Sequence, residues 1–128
     1  MIPKFKVYLF DVDGTLVASA ADITGAVREA LAAEGVNGLD QKYLESFIGF
    51  HLFELFRQVL PHYTEEQHTA LLANYRRIYL AREHSSTRVY DGVPEMLARV
   101  GGLKSTATTK GSETTRAVLA MFGLIQYF

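Results

Sequence analysis

Two acids two residues apart, Asp11 and Asp13, stand in the segment Phe10-Asp11-Val12-Asp13-Gly14-Thr15-Leu16, directly after the apolar run Val7-Tyr8-Leu9-Phe10. A strand ending in such a pair presents both carboxylates at its carboxyl end, where open α/β sheets bind ligands. Paired carboxylates can hold a hard divalent cation, and one of them can keep an oxygen available to attack phosphorus. The chemistry indicated is phosphoryl transfer. A lone Asp-Gly step is ordinary turn chemistry. Here the preceding strand, the following Thr-Leu and the downstream elements favour a functional pair. A calcium loop does not fit, because it needs glycine at its sixth position and glutamate at its twelfth. Gly14 comes fourth, and Ala21-Asp22 offers no glutamate.

The elements that must position these acids follow from periodicity and punctuation. Lys4 to Phe10 reads as a short strand stopped by the Asp-Gly turn. From Ala20 to Glu34 the pattern becomes helical, with Ile23, Val27, Ala30 and Leu31 on one face and Gly35 as the stop. Further helices are expected from an Asp40 cap to about Phe47 and from Leu52 to Leu60, before Pro61. Thr64 and Gln67 form a capping box that opens a long helix to about His84, with Leu71, Leu72, Tyr75, Ile78 and Tyr79 as its buried stripe. After Val89-Tyr90-Asp91-Gly92 come a helix over Val93 to Val100, with Pro94 in its first turn, and a second strand from Leu103 to Thr108. Gly111 and a Ser112 cap then lead into a helix to about Phe122. The order is β, helical insert, α, β, α. Two parallel strands with exposed edges are a poor sheet by themselves, and the apolar end Leu124-Ile125-Gln126-Tyr127-Phe128 reads as unfinished.

With 128 residues, 48% of them hydrophobic, the chain can bury a core. A net charge of −1 and no basic run longer than Arg76-Arg77 argue against nucleic acid or anionic membrane as partner. The absence of cysteine excludes disulfides, thiolate metal sites and thiol catalysis, and fits a cytoplasmic location. Ala18-Ser19-Ala20 imitates a signal-peptidase site, but Asp11 and Asp13 would lie inside the hydrophobic region, so that reading is rejected. His51, His62, His68 and His84 lack metal spacing and are expected on the surface or at helix ends. Phe47, Phe50, Phe53, Phe56, Tyr75 and Tyr79 read as core of the insert, and Arg57 and Arg76 either face a substrate anion or form a solvated helix face.

The segment from Phe10 to Leu16 resembles the first motif of the haloacid dehalogenase-like hydrolase superfamily. The helical insert after it, Ile48-Gly49, Val89 to Pro94 and the ending Phe122 to Phe128 resemble the phosphoglycolate phosphatase-like branch. The fold this implies is α/β: a partial Rossmann-like core of parallel strands over residues 1–18 and 87–128, with an α-helical cap inserted at 19–86. The resemblance implies an aspartyl-phosphate on Asp11, with Asp13 as general acid and base. It also implies magnesium held by the Asp11 carboxylate and the Asp13 backbone carbonyl. Backbone amides of the Asp13-Gly14 turn would help cradle the phosphoryl oxygens, with Gly14 and Thr15 among the phosphate-binding residues. The second family motif, a Ser or Thr after the next core strand, falls on Thr108 or Thr109, with Thr108 in the matching place. Lys110 either assists phosphate binding or is a solvated surface lysine.

The resemblance further implies a motif lysine and a late acidic pair, neither of which this sequence supplies. The 128 residues are therefore expected to carry half of an active site and to be inactive alone. The expected parent activity is magnesium-dependent hydrolysis of a small phosphorylated metabolite, with phosphoglycolate the first choice of substrate. A sugar-phosphate phosphatase or a phosphoglucomutase-type transferase shares the same motifs. The alternative is a non-catalytic fragment that pairs with a second copy or exchanges domains through its strand edges.

Overall fold

In the computed structural model, which describes residues 3–128, Val7–Phe10 forms β1 and Leu103–Thr106 forms β4, paired in parallel with Val7 opposite Leu103 and Phe10 opposite Thr106. Between them lie β2 (Val17–Ala18), α1 (Ala20–Ala33), α2 (Gln41–Glu45), α3 (Leu52–Val59), α4 (Glu65–Ala81), β3 (Arg88–Val89) and α5 (Val93–Arg99). Helix α6 (Ser112–Met121) and a 3-10 turn (Ile125–Tyr127) follow β4. The chain divides into two compact units, one made of the residues up to Ala18 and from Arg88 to Phe128, the other of Ser19–Thr87. We call these unit 1 and unit 2.

In unit 1 the β1–β4 pair presents Tyr8, Phe10, Lys104 and Thr106 on its partly buried side, while Val7, Leu9 and Leu103 are exposed. A core of Val12, Leu16, Val17, Leu97, Val118, Leu119 and Leu124 lies under the loops and helices, and Phe10 meets Phe128 edge to face. Gly102 lies just before β4, and a Cβ there would sit 2.8 Å from the Phe5 carbonyl oxygen, so only glycine admits this approach. In unit 2, α1 and α4 are the main packing pair. The core is built on Leu31, Leu55, Phe56, Leu71, Ile78 and Tyr79. The Thr64–Gln67 capping box is present in both directions: Gln67 N–H donates to the Thr64 hydroxyl at 3.1 Å, and Thr64 N–H donates to the Gln67 side chain at 2.8 Å. Among the described residues no helix is long and apolar enough to cross a membrane.

Several expectations shift. Strand β1 begins at Val7 instead of Lys4, because Phe5 N–H donates to the Tyr8 hydroxyl, which in turn donates to Pro3 O, so this stretch curls onto Tyr8. Strand β4 ends at Thr106 instead of Thr108, and Ser112 is the first residue of α6 while Gly111 holds the cap position. A second, antiparallel pair, β2 with β3, joins the ends that flank unit 2 and was not anticipated. Helix α4 stops at Ala81, three residues short of His84, because Glu83 and His84 both take positive φ. His68 is buried beside Tyr63, contrary to a surface position, and Phe50 is exposed, contrary to a core one.

Candidate active site

The acids stand on a loop that its own apolar residues hold down. Val12, Leu16 and Val17 are fully buried, while Asp11 before them and Gly14 and Thr15 between them are exposed. The Val12 carbonyl accepts from the amides of Thr15, Leu16 and Val17 at 3.2, 2.9 and 3.2 Å, which draws residues 12–17 into a tight turn. Gly14 has φ +80°, a conformation L side chains rarely adopt, and its N–H donates to Val17 O at 2.9 Å. The amides of Gly14 and Thr15 are thus used inside the turn, and Gly14 serves by its backbone angle. The Asp11 carboxylate accepts from Val12 N–H at 2.8 Å, which fixes its direction at the end of β1.

The parallel register carries the second loop to the same edge. Phe10 pairs with Thr106, and Ala107 N–H donates to Phe10 O at 2.8 Å, so the chain leaves β4 beside the point where it leaves β1. Thr108 is half-buried and its hydroxyl accepts from Lys110 N–H at 3.1 Å, closing a short turn; Thr109 is exposed. That turn delivers Lys110. Its Nζ lies 3.1 and 3.2 Å from the two Asp13 carboxylate oxygens, across 97 positions of sequence. The Lys110 and Asp13 side chains are only 7% and 12% exposed. Lys110 is therefore not a solvated surface lysine; it is a nearly buried cation held on one of the two acids. At this depth an ion pair is weakly screened by solvent, and removing either partner leaves a costly charge behind.

The site thus gathers Asp11, Asp13, Thr108 and Lys110 at the carboxyl ends of two adjacent parallel strands, with Gly14 and Thr15 on the same loop as the acids. The oxygen donors of Asp11 and Asp13 are of the kind a hard cation takes. Among the described residues no group of three or more His, Asp or Glu side chains gathers to hold a metal. The signal for the Lys110 pair was present in the sequence as a lysine two residues beyond Thr108, but the ladder register alone brings it to Asp13.

Residues 8–128 match the family model described as haloacid dehalogenase-like hydrolase. A 5'-nucleotidase of Pseudomonas aeruginosa is 33% identical over 128 residues, covering 98% of this chain and 58% of the relative. A phosphoglycolate phosphatase of Cereibacter sphaeroides is 32% identical over 127 residues, covering 94% of this chain and 58% of the relative. Among solved structures, a predicted phosphatase from Clostridium acetobutylicum superposes with a TM-score of 0.88 at 30% identity, over 98% of this chain and 59% of that one. The chain spans somewhat over half the length of these relatives. A match that begins within β1 and runs through both loops of the site to the last residue settles the kinship: the chain belongs to the haloacid dehalogenase-like hydrolases.

Proposed function

We propose that these residues carry the nucleophile half of a phosphatase for small phosphomonoesters, with phosphoglycolate as first substrate. The observation that carries this reading is the Lys110–Asp13 pair seated beside Asp11 at the ends of β1 and β4. An Asp11 carboxylate oxygen attacks phosphorus, the bond to the organic oxygen breaks, and Asp13, entering this step as the carboxylic acid, gives that oxygen its proton. In the second half-reaction Asp13 takes a proton from water, the water oxygen attacks the Asp11-bound phosphorus, and phosphate leaves as the Asp11 carboxylate is restored. The Lys110 ammonium fixes Asp13 and sets positive charge where an anionic phosphoryl group must approach. The Thr108 hydroxyl, already an acceptor from Lys110 N–H, has its own O–H to offer a phosphoryl oxygen.

Asp11, with the Asp13 carbonyl, would hold magnesium, whose charge when bound offsets repulsion between carboxylate and phosphate. Unit 2 reads as the cap that excludes bulk water and recognises the organic part of the substrate. The 5'-nucleotidase relative makes a nucleoside 5'-monophosphate the substrate to compare. The test is phosphate release from both substrates, with and without magnesium, by the full gene product that carries these residues. Turnover that needs magnesium and disappears in Asp11→Asn supports the reading; turnover that survives Asp11→Asn overturns it.

A further inference from the structure

The most completely enclosed acid of the described residues belongs to unit 2. Asp22, in the first turn of α1, is fully buried, and its donors come from sixty or more residues along the chain. Arg82 Nε donates to Oδ1 at 2.9 Å, Ser86 N–H donates to Oδ2 at 2.9 Å, and the Thr87 hydroxyl donates to Oδ2 at 2.6 Å. Gly25 stands one turn further along α1. A Cβ there would lie 2.7 Å from Arg82 Nη1, so the guanidinium occupies the space a side chain at position 25 would take. Between the donors Arg82 and Ser86, Glu83 and His84 have φ +53° and +55°. Two consecutive non-glycine residues in the left-handed region are rare, and they persist only where the surroundings dictate them.

We propose that Asp22, Arg82, Ser86 and Thr87 form a clasp that ties the start of unit 2 to its exit and holds the strained turn at Glu83-His84 in place. The clasp makes the two chain segments bounding this unit behave as one, so that neither frays without the other. Burial alone would raise the Asp22 pKa; the bonds from Thr87, Arg82 and Ser86 and the charge of Arg82 outweigh it and hold the carboxyl below its ordinary value of 3.8.

The test uses the 128-residue chain, with amide hydrogen exchange followed by NMR and with thermal unfolding. In Asp22→Asn, and in Thr87→Val, which removes a single donor, the Ser86 amide should exchange about tenfold faster or more, while amides in the middle of α4 keep their protection. Glu83→Gly should raise Tm by about 2–5 °C in the native background, because glycine takes positive φ without steric cost. That gain should vanish in Asp22→Asn, where the turn is no longer held. If Asp22→Asn does not fold, Thr87→Val serves in both comparisons. Unchanged Ser86 exchange, or a Glu83→Gly effect equal in both backgrounds, overturns the clasp.

Discussion

Phe56 and Leu9 are both large apolar residues set in regular structure, yet Phe56 is fully buried in unit 2 and Leu9 stands 66% exposed on the β1–β4 sheet of unit 1. Leu103, opposite Val7 in the same ladder, is 73% exposed. The difference follows from how each kind of element satisfies itself. Helices complete their backbone hydrogen bonds internally, so α1 to α4 can close a core by folding against one another, and the Asp22 clasp joins their ends. A parallel strand pair needs further strands and covering layers on both faces, and the described residues give unit 1 only two strands in that sheet. The proposed reacting groups, Asp11 and Asp13, belong to unit 1, whose sheet is the barer of the two regions.

The contrast can be broken from either side. The largest effect belongs to Asp11→Asn, which should lower phosphate release by the full gene product about a thousandfold or more while leaving its Tm nearly unchanged, since Asp11 is exposed. Next comes Phe56→Ala, which should destabilise the 128-residue chain by about 3–5 kcal/mol in denaturant titration, against about 0.5 kcal/mol or less for Leu9→Ala. Equal effects of the two would erase the distinction between the units. Lys110→Met should cut phosphate release about tenfold or more by leaving Asp13 without its cation, and Lys110→Arg should restore part of the loss.

Acid should act on unit 2 through Asp22. Its folded pKa lies below the unfolded value of 3.8, so its stabilisation is complete above that value and is lost as pH falls through the folded one. Ser86 protection followed against pH should show the decline, and Thr87→Val, lacking one of the bonds that lower the pKa, should show it at higher pH. The smallest effect is that of Gly25→Ala. Helix propensity alone predicts a gain of about 1 kcal/mol, but the new methyl meets Arg82, so the variant should gain nothing and should speed Ser86 exchange.

Local signals explain what was legible in the sequence. The strand stop at Asp11, the capping box at Thr64 and Gln67, and the helix starts before Gln41, Leu52 and Val93 each depend on neighbours within four residues. The β2–β3 pair was not legible, because two-residue strands have no periodicity to read. Lys110 was ambiguous because its burial comes from a partner 97 residues away. Asp22 shares the four-residue spacing of buried Ala26 and Ala30, which marks the inner face of α1. Its position could have flagged a buried acid, though nothing local names Arg82, Ser86 and Thr87 as its donors. The early end of α4 has the same origin, since the positive φ at Glu83 and His84 accompanies contacts with Asp22 and not any glycine.

As the proposed nucleophile, Asp11 must carry the phosphoryl group during turnover. The most direct measurement mixes the full gene product with magnesium and phosphoglycolate, quenches during turnover with borohydride, and maps the reduced residue by peptide mass spectrometry. An acyl phosphate on Asp11 is reduced to homoserine at that position, and the account predicts this product at residue 11, with none in a no-substrate control. Phosphate release with Asp11 unmodified, or reduction at Asp13 in its place, would contradict it.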